Sequence, residues 1–444
     1  MSVVALPWVM NHPAYRLYDN IRIGYTPGHL WLGAWLTTLI PDPILRLRLS
    51  MAVVVTLTLL ALAWLARKWW SPGIAVVTAA AYVAWGPVLM DHALYFEVMM
   101  GFYTLLALMC WHEVETHRWR IFLAGLLIGL VLITKNQGVL VPGAFILWRV
   151  AAAPARNWRA TGRDLLLFSL GVTILPATAA TILLAQGLLE RALVQFGATL
   201  DTYIGQYSRW PSLSDGLLLA VWLALVPVYL IDALRRRAFW GQRAMLLALL
   251  LLVMLTPVYP RYGRFHLSGA VPFVALMTAG GLDTLWQGRQ RFARGAAVVL
   301  LLLVFLPGFV LPVYYRIKLG PLNAELDTHY PLAAWVRQET GAPPGTQVWI
   351  LPDIDPTDNF YPVSGYLPPR FWMQAYFFES TPGVADALRA ALEADPPPYV
   401  LVIERWRNQI PGMQLAYLNE RYVVLDTAEM PNDLESVTLY RRRS

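Results

Sequence analysis

Four groups of charged side chains stand in or beside long apolar runs, where an ionised group is costly and is therefore a candidate for function. The first is Asp19, in the segment AYRLYDNIRIGYTPG, which is the only acid before Asp42. A carboxylate there can accept a proton from an incoming hydroxyl group, so Asp19 is a candidate catalytic base. The alternative is a turn residue in an Asp-Asn pair.

The second group is Asp91 and Glu97, in the segment WGPVLMDHALYFEVMM. Asp91 lies where one apolar run ends and the next begins, so it is either a catalytic acid or the N-cap of a helix that starts at Ala93. Glu97 lies about 9 Å further along that helix and about 240° around it. We predict that Glu97 binds substrate, since it needs a partner or a water-filled cavity.

The third group is Lys135 with Asn136 and Gln137, in the segment LLIGLVLITKNQG of a chain with three lysines and 32 arginines. A lysine held among apolar residues is a point charge suited to phosphate. Lys135 and Gln137 are therefore candidate substrate-binding residues. The alternative for Lys135 is a lysine at a hairpin tip that extends its charge toward water.

The fourth group is Arg261, Arg264 and His266, in the segment PVYPRYGRFHLS between two apolar runs. Two arginines three residues apart can bind a phosphate through paired N–H donors, and His266 can donate one hydrogen bond. We predict that all three bind substrate. Anchoring to lipid headgroups is the alternative for the arginines.

Together these groups suit a lipid-linked phosphate substrate, because cations neutralise a leaving phosphate while a carboxylate activates an acceptor hydroxyl. Carboxylates can also bind Mg²⁺ or Mn²⁺, although no ligand spacing in the sequence requires a metal. The single cysteine, Cys110, excludes a disulfide framework and a cysteine-based metal site. HExxH, P-loop, GxSxG and GxGxxG motifs are absent from the sequence, which removes the common soluble-enzyme classes.

The elements that must position these residues are transmembrane helices. Of the 444 residues, 57% are hydrophobic and 14% are charged, far less charge than in a soluble domain. Apolar runs near the length of about 20 residues that spans a bilayer occupy 49–66, 72–90, 93–112, 165–189, 216–231, 244–259, 265–282 and 295–315. The loops rich in arginine fall on one side, which the positive-inside rule assigns to the cytoplasm, so no nucleic-acid partner is needed to explain the basic excess.

The stretch 121–148 has basic loops at both ends and must cross twice or re-enter. Split at Lys135, its first arm reaches only about 21 Å of an apolar core about 30 Å thick, so Lys135 should lie below the outer surface in a protein-lined cavity. This gives about ten crossings and places both termini outside the cell. We therefore predict a multi-pass protein of the plasma or inner membrane.

Three regions follow from the composition. Residues 1–48 are an extracytoplasmic loop with an interfacial helix at His29–Ile40, residues 49–315 are an all-α transmembrane domain, and residues 316–444 are a small extracytoplasmic α/β domain. Periodicity in the last region predicts helices at 331–340 and 383–394 and strands at 347–351, 399–404, 422–426 and 436–440.

Several segments in this order resemble the GT-C superfamily of glycosyltransferases, in the branch of protein O-mannosyltransferases and lipid A aminoarabinose transferases. They are YTP before a short helix, a span opening with Arg46 and Arg48, the Asp91 segment, LAG…GL…TKNQG, PRYGRF before a span with Pro272, and YPVSGYLPPR in the tail. The resemblance covers the whole chain. It implies transfer of a sugar from a polyprenyl-phosphate donor to a lipid, glycan or protein acceptor outside the membrane, usually with inversion.

The resemblance also implies roles for particular residues. It places Lys135, and less directly Arg261 and Arg264, near the donor phosphate, and it makes Asp91 the acid at the head of a span. Members of the superfamily begin with a transmembrane helix followed at once by an acidic pair, whereas this sequence starts after that point, in agreement with the topology count. Either the start lies upstream, or Asp19 substitutes for the pair, or the chain is inactive.

Two other classes of protein fit parts of the pattern. A transporter or lipid scramblase would also have many spans and buried charge, but it would more often show repeats and charges at the midplane. A non-catalytic membrane subunit whose tail binds a partner is the third class.

Overall fold

The computed structural model describes residues 5–89, 95–112, 118–153, 158–205, 210–259, 262–287, 291–319, 324–353, 359–373, 383–430 and 435–443. The chain forms two compact units. The mixed unit comprises Met1–Arg48, Leu183–Tyr207 and Leu319–Ser444, and the helical unit comprises Leu49–Ile182 and Ser208–Lys318. The segment 183–207, placed within the transmembrane domain by the sequence, thus packs with the chain's two terminal segments.

The described helices, in chain order, are α1 (Ala5–Met10), α2 (Gly28–Leu39), α3 (Pro43–Trp69), α4 (Pro72–Leu89), α5 (Phe96–His112), α6 (Trp119–Thr134), α7 (Val141–Ala151), α8 (Trp158–Ala185), α9 (Leu189–Gly205), α10 (Leu213–Trp222), α11 (Val226–Arg235), α12 (Arg243–Leu255), α13 (Val271–Gln287), α14 (Arg291–Leu319), α15 (Ala324–Thr340), α16 (Phe360–Ser364), α17 (Val384–Ala394) and α18 (Gly412–Arg421). The strands are β1 (Ile21–Arg22), β2 (Val348–Leu351), β3 (Trp372–Met373), β4 (Tyr399–Ile403), β5 (Tyr422–Met430) and β6 (Glu435–Arg442).

Within the described residues, three helices are long and apolar enough to cross a bilayer, at Leu45–Trp69, Trp158–Ala185 and Arg264–Gln287. A fourth crossing is possible if α10 and α11 form one span, although they bend by 47° at the break between them. Pro227 in the first turn of α11 lacks an N–H, which explains why the predicted run 216–231 is not one continuous helix. The total of ten crossings stays a prediction.

The predicted break at Lys135 is confirmed. α6 ends at Thr134, Lys135 has extended backbone (φ −153°, ψ 141°), and a 3₁₀ turn at Asn136–Leu140 leads into α7. Pro142 in the first turn of α7 is compatible with a new helix start. The predicted helical hairpin therefore has short arms that meet at the lysine.

The mixed unit contains a four-stranded sheet of order β2-β4-β6-β5, in which β2 and β4 are parallel and the other pairs antiparallel. Its core includes Trp349 and Leu351 of β2, Val400 and Val402 of β4 and Leu388 of α17. The predicted helices and strands of the tail are confirmed to within a few residues, except that helix α15 begins earlier and β5 is longer. Helix α2 confirms the helix predicted at His29–Ile40, whereas α9 and α18 were not predicted.

Candidate active site

Glu97, Lys135 and His266 come together inside the helical unit. The Lys135 ammonium donates a hydrogen bond to Glu97 Oε1, and His266 Nδ1 lies 2.5 Å from the same oxygen, so Nδ1 carries a proton because a carboxylate only accepts. The three residues are 2%, 2% and 8% exposed. A carboxylate among apolar residues needs a partner or a water-filled cavity. The partners of Glu97 are two other candidate site residues, Lys135 and His266.

Lys135 reaches this position because the chain leaves the helix at that residue. Its N–H still bonds the Val131 carbonyl at 3.2 Å, while its own carbonyl accepts from Gly138 N–H at 2.9 Å. The alternative of a lysine that extends toward water is wrong, since the ammonium is buried and paired.

A close backbone approach holds Glu97 against His266. His266 lies in a 3₁₀ turn at Arg264–Ala270 that packs on α5. A Cβ atom on Gly101 would lie 2.6 Å from the Gly269 carbonyl oxygen, and one on Gly269 would lie 2.8 Å from the Glu97 carbonyl oxygen. Only glycine at both positions permits this contact.

Replacing Gly101 with alanine is expected to lower the free energy of unfolding by about 1–3 kcal/mol, because the turn must move away from α5. That movement should also loosen the contact between Glu97 and His266. The matched control is Gly143→Ala in α7, where a Cβ has no neighbour within 4 Å. Thermal unfolding of the purified variants would contradict the packing argument if both alanines behaved alike.

The Phe265 ring, stacked on the Tyr95 ring, lies beside His266, and the side-chain amide of Gln137 follows Lys135 in the chain. The Tyr95 ring stacks on Phe265 with centroids 4.9 Å apart, and Phe265 lies 4.1 Å from the His266 ring. The Gln137 side-chain oxygen is buried and has no hydrogen-bond partner among the residues that the structure describes. This oxygen can therefore accept a hydrogen bond from a bound molecule.

Arg264 is paired with an acid that the sequence analysis missed. Its Nε donates to Asp215 Oδ1 at 2.9 Å, and Asp215 lies in the first turn of α10. The signal was the segment SLSD, a capping box that marks a helix start rather than a binding site. Arg261 and Asp91 lie outside the described residues.

Asp19 belongs to the mixed unit, where it pairs with Arg191 of α9. Both side chains are partly exposed. Gln195 fixes the Asp19 loop on α9, since it accepts from Ile23 N–H at 2.9 Å and donates to the Tyr18 carbonyl at 3.0 Å. The structure thus gives Asp19 a defined position beside a cation.

Arg22 lies close to this pair. Its guanidinium stacks 4.3 Å from the centre of the Phe371 ring. Burial lowers the pKa of Arg22, Arg191 lowers it further, and Asp19 opposes both effects. Two arginine side chains therefore lie near Asp19.

The described residues do not fit a divalent cation. Nowhere in the described part of the chain do three His, Cys, Asp or Glu side chains come together. Glu97, Asp215 and Asp19 are each engaged by a cationic or histidine side chain instead.

Apolar helices joined in one chain to a small α/β unit give this chain a fold similar to that of solved GT-C glycosyltransferases, as the sequence resemblance predicted. No family model and no curated protein sequence matches the chain. The likeness is to solved structures and concerns the fold.

Two proteins represent these neighbours. ArnT from Cupriavidus metallidurans bound to undecaprenyl phosphate aligns with a TM-score of 0.63 and 15% identity over 99% of this chain and 92% of that chain. The archaeal oligosaccharyltransferase AglB from Archaeoglobus fulgidus, in complex with an inhibitory peptide and a dolichol-phosphate, aligns with a TM-score of 0.58 and 13% identity over 95% and 68%. Another structure of the Archaeoglobus fulgidus oligosaccharyltransferase, a complex with Zn and sulfate, aligns with a TM-score of 0.55 and 14% identity over 91% and 63%.

Proposed function

We propose that this chain is a membrane glycosyltransferase that transfers a sugar from a polyprenyl-phosphate donor to an acceptor outside the cytoplasm. The observation that carries the proposal is the buried Lys135, held by Glu97 inside apolar helices. Two neighbours of the same fold were crystallised with polyprenyl phosphates, undecaprenyl phosphate in ArnT and a dolichol-phosphate in AglB. A buried ammonium is suited to such a phosphate, which cannot be neutralised by lipid.

In the proposed reaction an acceptor oxygen attacks the anomeric carbon of the donor sugar. The bond from that carbon to the phosphate oxygen breaks, and its electron pair stays on the phosphate, so a single displacement inverts the configuration. Lys135, Arg264, His266 and Arg261 stabilise the negative charge that develops on the phosphate. One carboxylate takes the acceptor proton, and the two proposed candidates for this role are Asp91 and Asp19.

The remaining substrate-binding residues have separate proposed roles. Glu97 keeps Lys135 and His266 in place, which reduces the reorganisation needed when the phosphate binds. Gln137 offers its unpartnered oxygen to a substrate hydroxyl.

The proposed setting is the plasma or inner membrane, with both termini and the α/β domain of residues 316–444 outside the cytoplasm. The predicted boundaries after residues 48 and 315 are part of this proposal. The acceptor is then a lipid, glycan or protein reached from the outer side, as the positions of the basic loops favour.

A transfer assay in membranes tests this function. Membranes that contain the chain should move radiolabel from a polyprenyl-phosphate-linked sugar to an acceptor, and membranes without it should not. A transporter, a scramblase or a non-catalytic subunit would bind or move the lipid and leave the bond between sugar and phosphate intact. Donor binding without label transfer would therefore contradict the proposal.

A further inference from the structure

Asp215 is a buried acid that the proposed reaction does not use. It lies in the first turn of α10 and is 7% exposed. An ionised carboxylate in this position of an apolar unit needs compensation by hydrogen bonds or a cation. Its contacts show that helix capping accounts for only half of its bonding.

The two oxygens of Asp215 have different partners. Oδ2 accepts from the Ser212 hydroxyl at 2.6 Å and from the Ser212 N–H at 3.3 Å, which completes a capping box. Oδ1 accepts from Arg264 Nε at 2.9 Å, across 49 residues of sequence. A capping box requires the contact of Oδ2 with the Ser212 N–H and does not require the contact of Oδ1 with Arg264.

The contact with Oδ1 fixes a residue of the 3₁₀ turn that also carries His266. Asp215 engages the Nε edge of the guanidinium, and the Arg264 side chain is 36% exposed. A phosphate can approach the exposed part of this side chain. Holding the side chain in advance lowers the entropy lost when a ligand binds.

We propose that Asp215 is a positioning residue for the donor phosphate, acting through Arg264. This inference rests on the proposed function, because the ligand is the phosphate of a polyprenyl lipid. Asp215 does not touch the ligand itself. It holds Arg264 in one orientation, so that the side chain loses less conformational entropy when the phosphate binds.

The test measures the affinity of the purified full chain for undecaprenyl phosphate and for undecaprenol, together with the melting temperature. The variants are Asp215→Asn, Arg264→Met and the double variant. Asparagine retains a side-chain oxygen for Ser212, so the cap is largely kept while the acceptor for Arg264 is lost. Asp215→Glu keeps the charge and serves as the conservative rescue.

The matched control is Asp232→Asn. Asp232 Oδ1 accepts from Arg236 Nε at 2.9 Å, the same atoms and the same distance as in the pair of Asp215 with Arg264. Because Arg236 lies in a predicted basic loop rather than in a candidate site, the control should bind undecaprenyl phosphate as wild type does. This control shows how the loss of one such ion pair alone changes the melting temperature and the affinity for undecaprenyl phosphate.

We expect Asp215→Asn to weaken undecaprenyl phosphate binding about three- to tenfold and Arg264→Met to weaken it about tenfold or more, with undecaprenol binding unchanged in both. In the Arg264→Met background, Asp215→Asn should have no further effect, since coupled residues are not additive. Asp215→Glu should restore part of the affinity.

Four results would overturn the inference. In Asp215→Asn, undecaprenyl phosphate affinity could stay unchanged, rise, or fall by the same factor as undecaprenol affinity. The effects of Asp215→Asn and Arg264→Met could also be additive. A lower melting temperature alone would assign Asp215 to helix capping and would also overturn it. The binding measurements need no turnover. If the wild-type chain bound the phosphate and transferred no sugar, the proposed function would fail while the result for Asp215 could still be read.

Discussion

Replacing Lys135 with methionine is expected to lower the free energy of unfolding by about 3–5 kcal/mol and to remove most donor binding. Among the residues that the structure describes, His266 is then the remaining partner of the buried Glu97 carboxylate. A buried charge that has lost its partner costs more than the pair contributed. The loss of donor binding has a separate cause, since the ammonium is then absent from the phosphate site.

The double variant Lys135→Met with Glu97→Gln separates these two effects. Removing both charges should restore most of the stability, because no unpaired ion remains in the apolar unit. Donor binding should not return. Thermal unfolding and undecaprenyl phosphate affinity, measured on the same preparations, therefore respond differently to the second substitution.

The control is Lys68→Met in the last turn of α3, where the lysine lies 5.8 Å from the Trp64 ring centre. A surface substitution of this kind should change stability by about 0.5 kcal/mol or less. If Lys135→Met were as stable as this control, the ion pair would not contribute as argued. If the double variant bound donor like wild type, the phosphate role of Lys135 would be lost.

The sequence predicted the burial of Lys135 in protein but not its partner. Burial followed from the short arms of the hairpin, a local length argument. Glu97 is 38 residues away and its contact depends on how α5 packs on α6, which the apolar pattern does not specify. The free-energy cost of burying a carboxylate predicted that Glu97 has a partner, whereas the identity of that partner required the tertiary structure.

Asp215 and α9 were missed for different reasons. The acid of a capping box carries a complete local explanation, so nothing in the sequence pointed to its second contact with Arg264. α9 closely follows the apolar run 165–189, and the apolar pattern did not predict it as a separate helix. In the structure this helix supports the Asp19 loop through Gln195 and Arg191.

The helices and strands of residues 316–444 were predicted more completely than the contacts of Glu97 and Asp215, because local sequence patterns define them. The continuous apolar run at Tyr399–Ile403 and the prolines at 396–398 define a strand and a helix end without reference to other segments. The bend between α10 and α11 was less visible, since Pro227 lies inside an apolar run of spanning length. The break is a backbone effect that hydropathy does not report.

Of Asp19→Asn and Asp91→Asn, the substitution that removes the general base is expected to slow sugar transfer by about 10²–10⁴-fold, the usual contribution of such a group. Asparagine removes the charge and keeps the size and the capping ability of the side chain. Asp91 tests the role implied by the sequence resemblance. Asp19 tests whether a carboxylate in the mixed unit accepts the acceptor proton.

Arg191→Met is the control for Asp19, because both variants break the same partly exposed ion pair. Such a pair contributes at most about 1 kcal/mol, so Arg191→Met should slow transfer about fivefold or less. Initial rates with radiolabelled donor at saturating concentration compare the three variants directly. If Asp19→Asn matched Arg191→Met, Asp19 would be a loop anchor, and wild-type turnover in Asp91→Asn would make that residue a helix cap.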